Sequence, residues 1–218
     1  ITSSVHKDYR ILSLHIAAMR LSELASLPCI EYVQSIPHEA QDLNINSMAL
    51  SKGNVLRAPL AAGGKNLKGE GVVVGVGDGG DVQSHIDVSG SRLINRSSFP
   101  FDGHATHVTG TIAGAGLVQE SYTGYAPKAT IVSQSFSNII TYAPTYVQDY
   151  GMVIANNSYG SVVNDCSYNG LYDLTSRILD QQAFDLPELQ HVFAAGNDGV
   201  LTCGPYPFGF RTVLGGYQ

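Results

Sequence analysis

Residues 71–76 read Gly-Val-Val-Val-Gly-Val, apolar at nearly every position, as expected of a strand buried on both faces. Downstream, short apolar runs alternate with stretches of helical spacing. The pattern predicts strands over residues 129–135, 152–156 and 189–195, and a helix over 144–150. A further helix is expected over 171–184, where Leu174, Ile178, Leu179 and Phe184 recur and Pro187 ends the run. Between the first two strands lies Phe101-Asp102-Gly103-His104-Ala105-Thr106-His107-Val108-Thr109-Gly110-Thr111-Ile112-Ala113-Gly114. It reads as a loop that becomes a helix at a histidine, with small residues that let the helix lie close against a sheet. Strands and helices in this alternation predict an α/β fold with a parallel sheet and right-handed crossovers. Sites on such sheets gather at the carboxyl ends of the strands.

The first third of the chain has a different pattern. Residues 9–16 are expected to form a strand and residues 17–27 a helix, with Met19, Leu21, Leu24 and Leu27 at helical spacing and Pro28 as the stop. A second strand is expected over 29–36. The resulting α+β unit is small, and a connector rich in Asn, Ser, Gly and Ala follows it. That connector is expected to hold a short helix within residues 44–56 and a flexible break at Ala61-Ala62-Gly63-Gly64. The expected divisions are residues 1–43, 44–68 and 69–218.

Composition narrows the function. The chain has 218 residues, 44% of them hydrophobic, with 12 Lys and Arg against 18 Asp and Glu, a net charge of −6. Without a basic stripe, nucleic acid is not an expected partner. No apolar run is long enough to span a bilayer. The chain opens on Ile1 without the charged-then-apolar layout of a signal peptide, so its start is expected to follow processing or to be incomplete. Cys166 and Cys203 both lie in polar stretches rich in Gly and Tyr and could pair, which would leave Cys29 over; three unpaired thiols are the alternative.

Three positions carry candidate chemistry. An imidazole at the first turn of a helix held against a sheet, His104, is suited to act as a general base. Asp78, flanked by Gly77 and Gly79 at the end of the first buried strand, can fix the tautomer of such an imidazole and stabilise its protonated form. Asn197, after a strand ending in Ala194-Ala195-Gly196, brings an amide to the same edge, where it can donate to a developing oxyanion. Gly75-Val76-Gly77-Asp78-Gly79-Gly80 also fits a dinucleotide-binding Gly-x-Gly-x-x-Gly, but no helix-like segment follows Gly80. His107 with His104 or Asp102 lacks the further ligands of a zinc site. Asp81 and Asp87 leave room for calcium, without a recognisable calcium loop.

Together the motifs resemble those of the subtilisin-like serine proteases, the subtilases. His104-Ala105-Thr106-His107-Val108-Thr109-Gly110 is similar to that family's His-Gly-Thr-His-Val-Ala-Gly, with Ala105 for Gly and Thr109 for Ala. Gly77-Asp78-Gly79 resembles its Asp-Thr-Gly or Asp-Ser-Gly, with Gly79 in place of the hydroxyl residue, and His85-Ile86-Asp87 resembles His-Pro-Asp. Ala194-Ala195-Gly196-Asn197 matches the oxyanion segment, and Gly124-Tyr125-Ala126-Pro127 resembles Gly-Val-Ala-Pro. The order Asp, His, Asn along the chain is more specific than any single motif. The resemblance implies a subtilisin-like parallel sheet flanked by helices. It assigns His104 as base, Asp78 as its orienter and Asn197 as oxyanion donor. It also implies that Ser158, Tyr159 and Gly160, similar to Ser-Leu-Gly, pair with the substrate backbone beside Ala195 and Gly196. Ile30-Glu31-Tyr32-Val33 resembles the end of the family's propeptide, so the first unit is expected to be propeptide-like.

The family's nucleophile lies in a Gly-Thr-Ser-Met-Ala segment, and nothing from Asp198 to Gln218 resembles it. The serine is therefore expected beyond Gln218, on the same polypeptide or on a companion fragment. The resemblance then implies a secreted bacterial serine endopeptidase, acting on peptides or proteins and requiring no cofactor. The alternative is a catalytically inactive subunit of the same fold that binds peptides or serves assembly.

Overall fold

A computed structural model of the chain describes residues 3–6, 10–33, 41–42, 52–117, 122–160 and 171–197. The chain divides into two units, Ile1–His38 and Glu39–Gln218. In the first, β1 (Ser3–His6) and β2 (Ile11–Leu14) form an antiparallel hairpin with His6 opposite Ile11 and Ser3 opposite Leu14. A 3-10 turn over Ala18–Arg20 runs into α1 (Leu21–Ala25), where the Arg20 guanidinium donates to both carboxylate oxygens of Glu23 at 3.0 Å. The expected helix over 17–27 is thus shorter, for no side chain caps its start. Of the strand expected over 29–36, residues 29–33 are described and form no ladder; the Ile30 N–H instead closes a turn onto the Leu27 carbonyl at 3.0 Å.

The second unit contains β3 (Gln41–Asp42), α2 (Gly53–Arg57) and a 3-10 turn over Leu60–Ala62. Then come β4 (Val73–Asp78), β5 (Asp81–Val82), β6 (Leu93–Asn95) and β7 (Phe101–Asp102). The helix α3 (Gly103–Ala113) leads to β8 (Thr130–Ser135), α4 (Asn138–Thr141) and α5 (Ala143–Tyr150). Last are β9 (Met152–Asn157), β10 (Tyr159–Gly160), α6 (Leu174–Asp185) and β11 (Gln190–Phe193). Five strands form one sheet in the order β11-β9-β4-β8-β6, every neighbouring pair parallel. This is the α/β architecture the alternation predicts.

The central strand β4 explains its own sequence. Val74 and Val76 are buried on one face with Val108 and Ala113 of α3 and with Ile131 of β8. Each Val or Ile side chain removed from water there contributes on the order of 1.5–3 kcal/mol. Gly75 and Gly77 face the other way, where a Cβ would stand 2.5 Å from the Met152 sulfur and 2.4 Å from the Ile139 Cγ2. The alternation of Val and Gly therefore lets α4 lie directly on the backbone of β4. Asp78, next on the valine face, is fully buried beneath α3.

Helix starts follow their caps. Asp173 accepts from the Ser176 N–H at 2.9 Å, so α6 begins three residues later than its hydrophobic run. Pro144 sits in the first turn of α5, and Gly151, at φ +69°, ends it in the left-handed region. The short strands β5, β6 and β7 and the one-turn α4 were not legible in the hydrophobic pattern, being too short to show a period.

Candidate active site

Asp78 is the last residue of β4 and His104 the second of α3. The helix is capped by Asp102, whose carboxylate accepts from the Ala105 N–H at 2.7 Å, and the Asp102 carbonyl accepts from the Thr106 hydroxyl at 2.8 Å. Thr106 also accepts from the Gln83 N–H at 2.9 Å, which ties the helix to the segment after β5. His104 is thereby aimed at the carboxyl end of β4. Its Nδ1 lies 2.9 and 3.0 Å from the two oxygens of Asp78, and the Gly79 N–H donates to the first of them at 2.8 Å. The Asp78 side chain is wholly buried and that of His104 is 14% exposed. An ionised carboxylate only accepts, so this contact assigns the ring proton to Nδ1 and leaves Nε2 as the basic nitrogen.

The other expected residues collect at the same edge of the sheet. Gly77 of β4 and Phe193 of β11 both stand level with Asn157 of β9. The Ala194 N–H donates to the Asn157 carbonyl at 3.0 Å, and the chain then passes through exposed Ala195 and through Gly196 at φ +87°, a turn only glycine adopts freely. Asn197 follows, exposed to solvent. With β9 between them, β4 and β11 are about 9–10 Å apart, two strand spacings. The structure thus brings Asp78 and His104 into contact and sets Asn197 across β9 at the same edge.

Ser158 leaves β9 with its hydroxyl accepting from the Asn156 amide at 2.9 Å, and Tyr159 and Gly160 follow as β10, both buried. That edge is paired antiparallel with the chain's own β3, Tyr159 opposite Asp42 and Gly160 opposite Gln41. Tyr159 is 2% exposed; its ring meets the Phe136 ring edge-on at 5.3 Å and its hydroxyl donates to the Asn157 Oδ1 at 3.0 Å. Phe136 itself, at φ +26°, holds a conformation rare for a bulky residue, with its N–H on the Asp78 carbonyl at 2.7 Å.

One atom each of Asp78, Asp102 and His104 lies within 4.8 Å of the others, the spacing of a cation site. The donors are already engaged, Asp78 with His104 and Asp102 with the Ala105 N–H. His107, the expected partner in a zinc reading, points into solvent and is not in this group. Asp81 accepts from the Ser97 N–H and is pushed up by burial; Asp87 accepts from the Leu117 N–H at 2.6 Å. Neither belongs to a three-ligand group among the described residues. Cys166 and Cys203 lie outside the described residues; Cys29 is exposed and unbridged. Phe136 was missed as a site residue from sequence, and Asp102 entered only as a metal partner of His107, although an Asp ahead of a helix is a cap signal.

Among the described residues, no helix is long and apolar enough to cross a membrane. No curated protein matches the chain. Among solved structures, the chain is similar to the CspB protease of Clostridium perfringens, at 19% identity and a TM-score of 0.54, over 70% of this chain and 41% of that one. It is also similar to MycP1 with its N-terminal propeptide removed, at 20% identity and a TM-score of 0.49, over 74% of this chain and 56% of that one. The chain therefore spans 41% and 56% of the lengths of these proteins. The CspB likeness shows the fold. The profile of the subtilase family matches residues 69–212, well over half of the sequence. The chain belongs to the subtilase family, peptidase S8.

Proposed function

We propose that this chain is the front portion of a secreted serine endopeptidase in which His104 is the general base, Asp78 its orienter and Asn197 the oxyanion donor. The observation that carries the reading is the contact of His104 Nδ1 with both oxygens of a fully buried Asp78. Nε2 would take the proton of a serine hydroxyl as the oxygen attacks a peptide carbonyl, then return it to the leaving amine. Asp78 would hold the tautomer and stabilise the imidazolium between the two transfers. Asn197 would donate to the oxyanion of the tetrahedral intermediate. Ser158, Tyr159 and Gly160 would add the substrate to the sheet as a further strand, beside Ala195 and Gly196.

The pairing of Gln41–Asp42 with Tyr159–Gly160 supports a latent form, in which the segment after the N-terminal unit occupies the substrate strand's place. A tethered occupant competes at an effective concentration in the millimolar range. Removing residues 1–42 is therefore expected to raise kcat/KM on a peptide substrate about tenfold or more; an unchanged value contradicts latency.

The same pairing favours the second reading, a subunit that binds extended peptides without cutting them, since strand addition needs no nucleophile. Peptide mapping of the purified protein, with a fluorophosphonate probe for an activated serine, separates the two. Peptides continuing into a Gly-Thr-Ser-type segment, with labelling there, are expected. A polypeptide without such a serine, and without a companion that carries one, excludes proteolysis.

A further inference from the structure

We propose that Asp102 is a positioning residue for His104: its carboxylate fills the space that Gly79 leaves beside Asp78 and sets a second negative charge against the imidazole. The inference rests on the reading of His104 as the base and goes beyond it.

Gly79 stands where the family pattern has Thr or Ser. A Cβ there would lie 3.0 Å from Asp102 Oδ2 and 3.2 Å from its Cγ, tight enough that the carboxylate would have to give by a few tenths of an ångström. At Gly80 a Cβ would fall 2.2 Å from the Pro100 carbonyl oxygen. The two glycines therefore admit the segment 100–102 against the exit of β4. Asp102 has little freedom to withdraw. Its Oδ1 holds the Ala105 N–H, its carbonyl holds the Thr106 hydroxyl, and its backbone pairs with Val82. The missing side chain at position 79 and the fixed carboxylate at 102 are complementary in shape.

The electrostatic consequence follows from the helix. His104 occupies the first turn of α3, where unpaired N–H groups present partial positive charge and disfavour an imidazolium. Asp102 satisfies one of those groups and brings a full negative charge, with an oxygen within 4.8 Å of both Asp78 and His104. Among the described residues, Asp78 from β4 and Asp102 from the helix cap bring carboxylates to His104; His107, one turn along, is exposed. Two carboxylates rather than one thus stand beside the His104 ring.

The test is a pH titration of the His104 ring resonances by NMR in the full chain, assigned by their loss in His104→Gln. Asp102→Asn and Asp102→Ser keep a cap acceptor and remove the charge. Each is expected to lower the midpoint of the His104 titration by about one pH unit, a tenfold loss of proton affinity. Gly79→Ser, whose added side chain crowds the Asp102 carboxylate away from this position, is expected to shift it in the same direction by less, and it serves should the Asp102 variants fail to fold. Asp102→Glu is expected to recover part of the shift. Midpoints unchanged in folded variants would reduce Asp102 to a helix cap and overturn the proposal. The titration needs no serine and no substrate, so a chain that hydrolyses nothing but shows the shift fails the protease reading alone.

Discussion

The Tyr159 hydroxyl donates to the Asn157 Oδ1 at 3.0 Å, both side chains essentially out of contact with solvent. The Asn157 amide in turn donates to the Ala155 carbonyl at 3.2 Å, at the level where β4, β9 and β11 end together. Tyr159 stands where the family pattern has Leu, so the floor beneath the edge strand is polar here. Tyr159→Phe leaves the amide oxygen without that donor and is expected to destabilise the chain by about 1–2 kcal/mol. Urea unfolding measures it; an unchanged midpoint would mean that the bond contributes nothing.

Thr109 replaces the family's Ala on the buried face of α3. It is fully buried, and among the described residues its hydroxyl finds no hydrogen-bond partner. Thr109→Val keeps the shape and removes the stranded polar atom. A gain of about 1 kcal/mol is expected, from the desolvation cost of an unsatisfied hydroxyl. A loss of stability on the same denaturant scale would show that the hydroxyl is satisfied after all.

His191 of β11 makes the chain sensitive to acid. Burial pushes its imidazole down to about 4. Its Nε2 faces the Gln182 Oε1 at 2.8 Å, which fixes the ring proton there, and its buried Nδ1 has no partner among the described residues to receive a second N–H. The unfolded chain would protonate this residue near 6.5, well above the folded value. The contribution is therefore complete above about pH 6.5 and is lost as pH falls from there through 4. The loss is expected to reach about 2–3 kcal/mol. His191→Gln should flatten this part of the stability profile; an identical profile would assign the acid sensitivity to other groups.

Apolar runs of buried Val, Ile, Met and Ala were readable, although β8 ends in the buried polar Ser133, Gln134 and Ser135. β4, β8, β9 and α5 appear within two residues of where the pattern puts them. Shorter elements were not, since β5, β6 and β7 owe their form to pairing partners distant in sequence. In the first unit, Ser3–His6 has no strand pattern of its own and is a strand only because Ile11–Leu14 lies opposite. At the site, Asp78 and His104 could be paired from motif order alone. The glycine at 79 read as a mere departure from the family; only the approach of Asp102 gives it a physical reason.

The central claim is that Asp78 and His104 act as one unit in peptide hydrolysis. The most direct measurement is kcat/KM on a peptide substrate for the serine-bearing polypeptide, compared with Asp78→Asn, His104→Ala and the double variant. Each single change is expected to reduce the rate about 10⁴-fold or more, and the double variant to be scarcely worse than either. Turnover preserved in His104→Ala, or losses that simply multiply in the double variant, would contradict the account.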